Sequence, residues 1–447
     1  MHFVTQFVMK VPVQALMKPS TQPGLKRRLP TLMVALLATA LSPLAPAQAI
    51  LSPTEHCRDF SADAIVSFAD PDLAEVVHEA IGIGPQDALS CGQAASLEQL
   101  IIGTRIERVV YGGTLRPSPQ KPFESLDGIQ NLTGLTSLHL INRLITDIGP
   151  LRSLTRLRNL NLHTNWFSDL GPLRELNNLE ELIVSENPIS DLEPLAGLTR
   201  LRRLQVHGLY PYQLQHYLNY NDGRDPNVVF NSITDLSPLA GLTEMRLLRI
   251  HLNSIEDISP LAGMTKLTHL RIYDNQIEDL APLANMRDMI LLWAHGNRIE
   301  DISALAAMPG MQQLSLNDNA IQNIGPLNGM LDLQYLDISN NQIDDISPLR
   351  RLHAIEVLRL ENNQISDLSA LAGLINLREL SLAHNGSLYD VRPLLLNSGI
   401  GRGDELDLRF THVRCSDMDA FGSLEVNLLR VTALNGSACQ GRRLEDP

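Results

Sequence analysis

Four histidines stand at positions 163, 207, 251 and 295, each 44 residues after the one before. Imidazoles at fixed spacing raise the prospect of a metal site, because the neutral ring is a common ligand. A second candidate, His78-Glu79-Ala80-Ile81-Gly82, begins like the zinc-protease helix motif but has glycine where the second histidine is needed. Arg402-Gly403-Asp404 spells an adhesion-type tripeptide, yet so short a string arises by chance and reads here as a loop before the last strand. An aspartate column at 147, 169, 191, 235, 257, 279, 301, 345, 367 and 390 could suggest calcium. Each turn offers one or two carboxylates rather than a clustered ligand set. Bonding of local backbone amides is the better reading. There is no G-x-S-x-G elbow, phosphate loop or cysteine–histidine arrangement. No catalytic residue, metal or cofactor is expected.

The elements that carry these side chains follow a different rhythm. Residues 333–349 read LQYLDISNNQIDDISPL, and the apolar spacing of Leu333, Leu336, Ile338, Ile343, Ile346 and Leu349 fits neither helix nor strand. The pattern recurs every 22 residues, as in LTRLRNLNLHTNWFSDLGPL from Leu154 and MTKLTHLRIYDNQIEDLAPL from Met264. Asparagine marks it at Asn165, Asn187, Asn231, Asn253, Asn275, Asn297, Asn319, Asn341, Asn363 and Asn385. Every step is 22 residues except Asn187 to Asn231, which is 44. Such a period means a solenoid. Each copy holds a short strand around L-x-L, and successive strands can only pair in parallel, about 4.8 Å apart. One coil cannot bury its apolar side alone, whereas a stack can.

The asparagine has a structural reason. Where the chain leaves each strand, backbone groups point inward, and an unpaired one costs about 1–3 kcal/mol. An asparagine amide has two donors and an acceptor on a short stem, so it can bridge its own turn and the next coil. In this stack the four histidines occupy alternate coils, about 10 Å apart, too far to share a metal held at about 2 Å. They read instead as a solvated or partner-contacting row whose binding would respond to pH between 5 and 7.

The repeat L-x-x-L-x-x-L-x-L-x-x-N-x-I-x-D-I/L-x-P-L resembles the 22-residue bacterial leucine-rich repeats of internalins. The resemblance implies an α/β solenoid: a curved leucine-rich repeat stack with a concave parallel sheet that binds a partner. Asp70-Pro71-Asp72 reads as a helix start, with Leu73, Val76, Val77, Ala80 and Ile81 at helical spacing and Gly82 as the stop. This resembles the helical N-terminal cap of internalin-type proteins. Cys57 and Cys91 bracket that helix, and Cys415 and Cys439 flank the other end. About a dozen coils would separate the two pairs by roughly 50–60 Å, so Cys57–Cys91 and Cys415–Cys439 are the expected disulfides. The expected organisation is a signal peptide over 1–49, a cap over 50–105, the solenoid over 106–394 and a C-terminal cap over 395–447. A stretch at 207–230 is either a decayed coil or a protruding loop carrying Tyr210, Tyr212, Tyr217 and Tyr220.

Strand residues flanking each inward leucine face the concave side. There the sequence offers Arg249, His251, His269, Arg271, Tyr273, Trp293, His295, Tyr335 and Arg359, rich in the side chains that dominate binding hot spots. A net charge of −14 disfavours a nucleic-acid partner. Basic residues 26–28, an apolar run over 32–44 and Ala47-Gln48-Ala49 read as an export signal. The run is too short for a membrane span, and export favours disulfides. The expectation is an exported, non-enzymatic scaffold for a protein partner, with a cell-envelope or host glycan as the alternative ligand.

Overall fold

Alternation of inward leucine with outward polar residues produces strands of three or four residues, one per coil. The structure is a computed structural model and describes residues 48–102, 122–209, 232–401, 403–413, 421 and 427–429. Its strands are β1 (Gln99–Ile102), β2 (Ser137–Leu140), β3 (Asn159–Asn161), β4 (Glu181–Ile183), β5 (Arg203–Gln205) and β6 (Leu247–Arg249). There follow β7 (His269–Arg271), β8 (Leu291–Trp293), β9 (Gln313–Ser315), β10 (Tyr335–Asp337) and β11 (Val357–Arg359). The last are β12 (Glu379–Ser381), β13 (Glu405–Asp407) and β14 (Asn427–Leu429). All pair in parallel, in chain order, as one curved sheet.

The register places each inward leucine against the next, as in Leu270↔Leu292 and Leu336↔Leu358. These leucines and their neighbours form one continuous buried core along the stack. Met245, Met264, Met286, Met289, Met308, Met311 and Met330 fill leucine slots within it. Opposite the sheet the chain returns through short 3-10 turns such as Gly325–Gly329 and Ser347–Arg351. Several carry proline as their second residue, within the first turn, where its missing N–H would be unpaired in any case. The aspartate column starts these turns: Asp345 accepts from the Ser347 amide at 2.8 Å and from its hydroxyl at 2.9 Å.

The asparagines lie at the sharp corner after each strand, where the preceding residue takes a left-handed backbone. Asp318, Asn340 and Asn362 have φ of 56°, 53° and 51° there, and Gly296 has 62°. Asn341 Nδ2 donates to its own coil at Ile338 O (3.1 Å) and Ser339 O (3.0 Å). It also donates to Leu316 O (3.0 Å), while its Oδ1 accepts from the Ile321 amide (3.0 Å). Both of the latter groups belong to the preceding coil, so the bridge runs backward along the chain and not to the next coil. The same four-point pattern recurs at Asn319 and Asn363.

At the N-terminal end, α1 (Pro71–Ile81) starts where Asp70 accepts from the Leu73 amide and stops at left-handed Gly82. A second short helix, α2 (Cys91–Ala94), was not evident from the sequence. Ser90 and Gln93 cap it reciprocally. Cys57 and Cys91 form a disulfide with Cα atoms 5.5 Å apart. Asn131 ties this cap to the stack, accepting from the Cys57 amide at 2.7 Å and donating to Glu55 O at 3.0 Å. The sheet runs past both boundaries read from the sequence: β1 lies within 50–105, and β13 and β14 lie beyond 394. A third helix, α3 (Arg392–Leu395), replaces the 3-10 return in the coil between β12 and β13. Cys415, Cys439, Asn231, Tyr210, Tyr212, Tyr217, Tyr220 and nearly all of the expected signal peptide lie outside the described residues.

β5 pairs directly with β6, with Gln205 opposite Arg249. No strand stands between them among the described residues, and the stretch read as a decayed coil or a loop lies, from 210 to 230, outside those residues. The β5–β6 pairing changes the histidine spacing. His207 and His251 stand on adjacent strands rather than alternate ones, and their rings stack at 4.1 Å.

Candidate partner-binding face

Two columns of side chains run along the outer surface of the sheet. One comprises the residues between the paired inward leucines, including Arg249, Arg271, Trp293, Ser315, Asp337, Arg359 and Ser381. The other lies two residues further along each coil and includes His163, Ser185, His207, His251, Tyr273 and His295. His251 stacks on Tyr273 at 4.1 Å, and Tyr273 on His295 at 4.3 Å. His163 approaches His207 at 6.2 Å across the small Ser185. The result is a continuous ladder of rings. In the neighbouring column the Arg271 guanidinium lies over Trp293, 4.1 Å from the ring centre.

The ladder is dry. His251 and Tyr273 are buried. Burial holds the His207 imidazole down to about 4, and His163 and Arg249 push the same way. His251 is lowered further by burial, with His207, Arg271 and Arg249 adding to it. His295 and His269 are also lowered, chiefly by burial. His207 and His251 therefore stay neutral through the pH 5–7 range in which the sequence suggested a switch. Arg249 is lowered by burial and by Arg271, and it donates to Gln205 Oε1 at 3.1 Å. Trp293 Nε1 and His251 Nδ1 are buried with no hydrogen-bond partner among the described residues.

Tyr335 and Arg359 do not join this patch. Arg359 donates from Nε and Nη2 to Glu379 at 2.9 and 2.7 Å and sits 3.9 Å from Asp337. Burial opposes its charge, but the Glu379 hydrogen bond and the nearby anions raise it on balance. Tyr335 is raised by burial and by Asp337. Arg359 lines a different feature, an acidic recess over β10–β13, and Tyr335 sits beside it, its hydroxyl accepting from Arg359 Nη1 at 3.4 Å. The carboxylates of the recess are not among the residues expected from the sequence, which are rings and basic groups.

Among the remaining motifs, His78 lies within α1 with no metal-binding cluster among the described residues. Asp404 of the tripeptide accepts from the Gly401 amide at 2.8 Å, and Arg402 lies outside the described residues. No helix among the described residues is long and apolar enough to cross a membrane.

A family model for leucine-rich repeats in two copies matches residues 133–175, 245–285, 309–351 and 353–394. An internalin of Listeria monocytogenes, InlF, is 29% identical, with a TM-score of 0.67 over 81% of this chain and 95% of its own. A leucine-rich repeat protein of Leptospira interrogans, 17% identical, shares the fold, with a TM-score of 0.50 over 70% of this chain and 93% of its own. No curated protein matches the sequence. The coil, the asparagine corner and these matches define a leucine-rich repeat protein. Within that class the chain is similar in sequence and fold to the internalin InlF.

Proposed function

We propose that this chain is an exported, non-enzymatic recognition scaffold that binds a protein partner through the concave face of its sheet. The observation that carries this reading is the patch formed by Arg271 lying on Trp293 beside the ring ladder Tyr273–His295, flanked by Arg249 and His269. Tryptophan, tyrosine and arginine, partly desolvated and held rigid by one another, are the groups on which binding energy concentrates. The unpartnered indole N–H of Trp293 offers a donor to an incoming acceptor. Export is supported by the signal-like start and by the Cys57–Cys91 bridge.

The ladder argues against the glycan alternative. A sugar ring packs on an aromatic face, and here the faces of His251, Tyr273 and His295 are taken up by each other. A protein ligand can use the ring edges and the arginines.

Partner capture with the full chain, followed by affinity measurement on R271A/W293A, tests the reading. Loss of two hot-spot side chains is expected to weaken binding at least about 30-fold while the melting curve stays in place. Unchanged affinity would discredit the patch, and selective retention of a glycan on an array would favour the alternative.

A further inference from the structure

The acidic recess over β10–β13 has about 300 Å³ of space and is lined by Asp337, Ser339, Arg359, Glu361, Glu379, Ser381, Glu405 and Asp407, with Leu380 beneath. Its origin is local. Ser381 sits in register between Arg359 and Asp407, so one small side chain falls between two long or charged ones and the floor drops. Ala383, two residues on, leaves a similar gap beside Glu361.

Charge in the recess is unbalanced. Five carboxylates, Asp337, Glu361, Glu379, Glu405 and Asp407, face one guanidinium within it, Arg359. Arg359 is engaged by Glu379, and Asp407 is engaged by Arg409. Ser339 is also occupied, since its hydroxyl donates to Asp337 at 2.6 Å. Two acceptors are left without a partner. Among the described residues Ser381 Oγ is buried without a hydrogen-bond partner, in a residue only 7% exposed, and Glu361 Oε2 is likewise buried and unpaired. A buried acceptor left in this state destabilises the free protein and gains on meeting a donor.

We infer that this recess receives a cationic side chain, lysine or arginine, of the protein partner. The inference rests on the concave-face reading above and adds a second anchor to it, some four strands from the Trp293 patch. Either cation brings only donors, three from an ammonium and five from a guanidinium. These suit Ser381 Oγ, Glu361 Oε2 and the Glu405 carboxylate, and the long stem reaches the floor. A divalent ion fits less well. No three ligating side chains among the described residues converge on one point, and the Arg359 guanidinium inside the recess would repel it. The concave face therefore presents opposite charge in two places, with Arg203, Arg249 and Arg271 on β5–β7 and carboxylates on β10–β13.

The test uses a randomised peptide library displayed on phage and selected on the purified full chain. Selected peptides should carry a lysine or arginine at one position. Changing that residue to glutamine should weaken binding to the wild-type chain by about tenfold or more. On E361Q/E405Q the same change should cost little, and S381A should show a smaller loss of its own. Circular dichroism and melting establish that each variant is folded, and E405Q alone serves if the double variant is not. Peptides without a basic residue, or a glutamine change that costs the same on wild type and variant, overturn the inference. Calcium binding by titration calorimetry that disappears in E361Q/E405Q overturns it in favour of a metal. Peptides that depend on Arg271 and Trp293 but ignore the recess sink this inference and leave the binding face standing. Peptides indifferent to both sets, or a library that yields no binder, sink both.

Discussion

The asparagine ladder makes a quantitative prediction about coupling between coils. Asn341 and Asn363 share one acceptor, Ile338 O, at 3.1 and 3.0 Å. Replacing Asn341 by alanine leaves the Ile321 amide without its acceptor, but Ile338 O keeps Asn363 and Leu316 O keeps Asn319. The single substitution therefore orphans one buried donor and should cost about 1–3 kcal/mol. N363A does the same to the Ile343 amide, while Leu360 O keeps Asn385. In N341A/N363A both donors are orphaned and Ile338 O loses both of its side-chain partners. That adds a third buried orphan, worth another 1–3 kcal/mol or so, which neither single variant contains. The double-mutant cycle should thus show a destabilising coupling of about that size. N341A/N275A, whose amides share no carbonyl, should be additive within about 0.5 kcal/mol. Urea unfolding followed by far-ultraviolet circular dichroism gives all the terms. Equal additivity in the neighbouring and distant pairs would refute the shared-acceptor account.

Two further predictions concern conditions rather than partners. His207 and His251 are held neutral below the ordinary imidazole value of 6.5, His207 at about 4. Between those limits the unfolded chain binds protons that the folded chain does not, so stability falls as pH falls through that window. The slope approaches about 1.4 kcal/mol per pH unit for each ring. Urea midpoints at about pH 7.5 and 5 should show the loss and H251F should reduce it; a midpoint that rises on acidification counts against burial of these rings. The Cys57–Cys91 bridge spans 34 residues and should stabilise the cap by about 4 kcal/mol on loop entropy. In C57S/C91S, hydrogen exchange at Val77 should lose protection while Ile343 keeps it, because coils feel mainly their neighbours. Equal loss at both sites would mean that the cap and the distant coils unfold as one unit.

The architecture was legible because its cause is periodic. An apolar residue needed in every coil, and an amide needed at every corner, print themselves on the sequence at fixed intervals. The N-cap was legible for a local reason: Asp70, Pro71 and Gly82 are start and stop chemistry. The site was only half readable. Strand columns could be assigned, so Arg271 and Trp293 could be named as neighbours, but adjacency across the irregular stretch could not. Equal spacings of 44 residues place His163 and His207 two strands apart and His207 and His251 one strand apart. Only the direct β5–β6 pairing reveals the difference. The same uncertainty hid the dry character of the ladder and with it the depressed imidazoles. The acidic recess depends on a small residue, Ser381, set among larger ones in three dimensions, and no single residue type announces it. The direction of the asparagine bridge is a matter of handedness and corner geometry that composition does not encode.

The joining of β5 to β6 has a topological consequence. Residues 198–208 read LTRLRRLQVHG and 231–241 read NSITDLSPLAG; spliced, they make one regular coil of 22 residues, with His-Gly-Asn where the coil three strands on has His295-Gly296-Asn297. Both halves are seated, since the Gly208 amide donates to His251 O at 3.1 Å and the Ser232 hydroxyl to Ile189 O at 3.4 Å. Residues 209–230, themselves 22 in number, are inserted in the sequence between two halves that complete one coil of the stack. Excising the segment, or trading it for a foreign one, would leave every later leucine in its slot. The frame on either side is set by its own leucines and backbone bonds, whatever is spliced between Gly208 and Ser232.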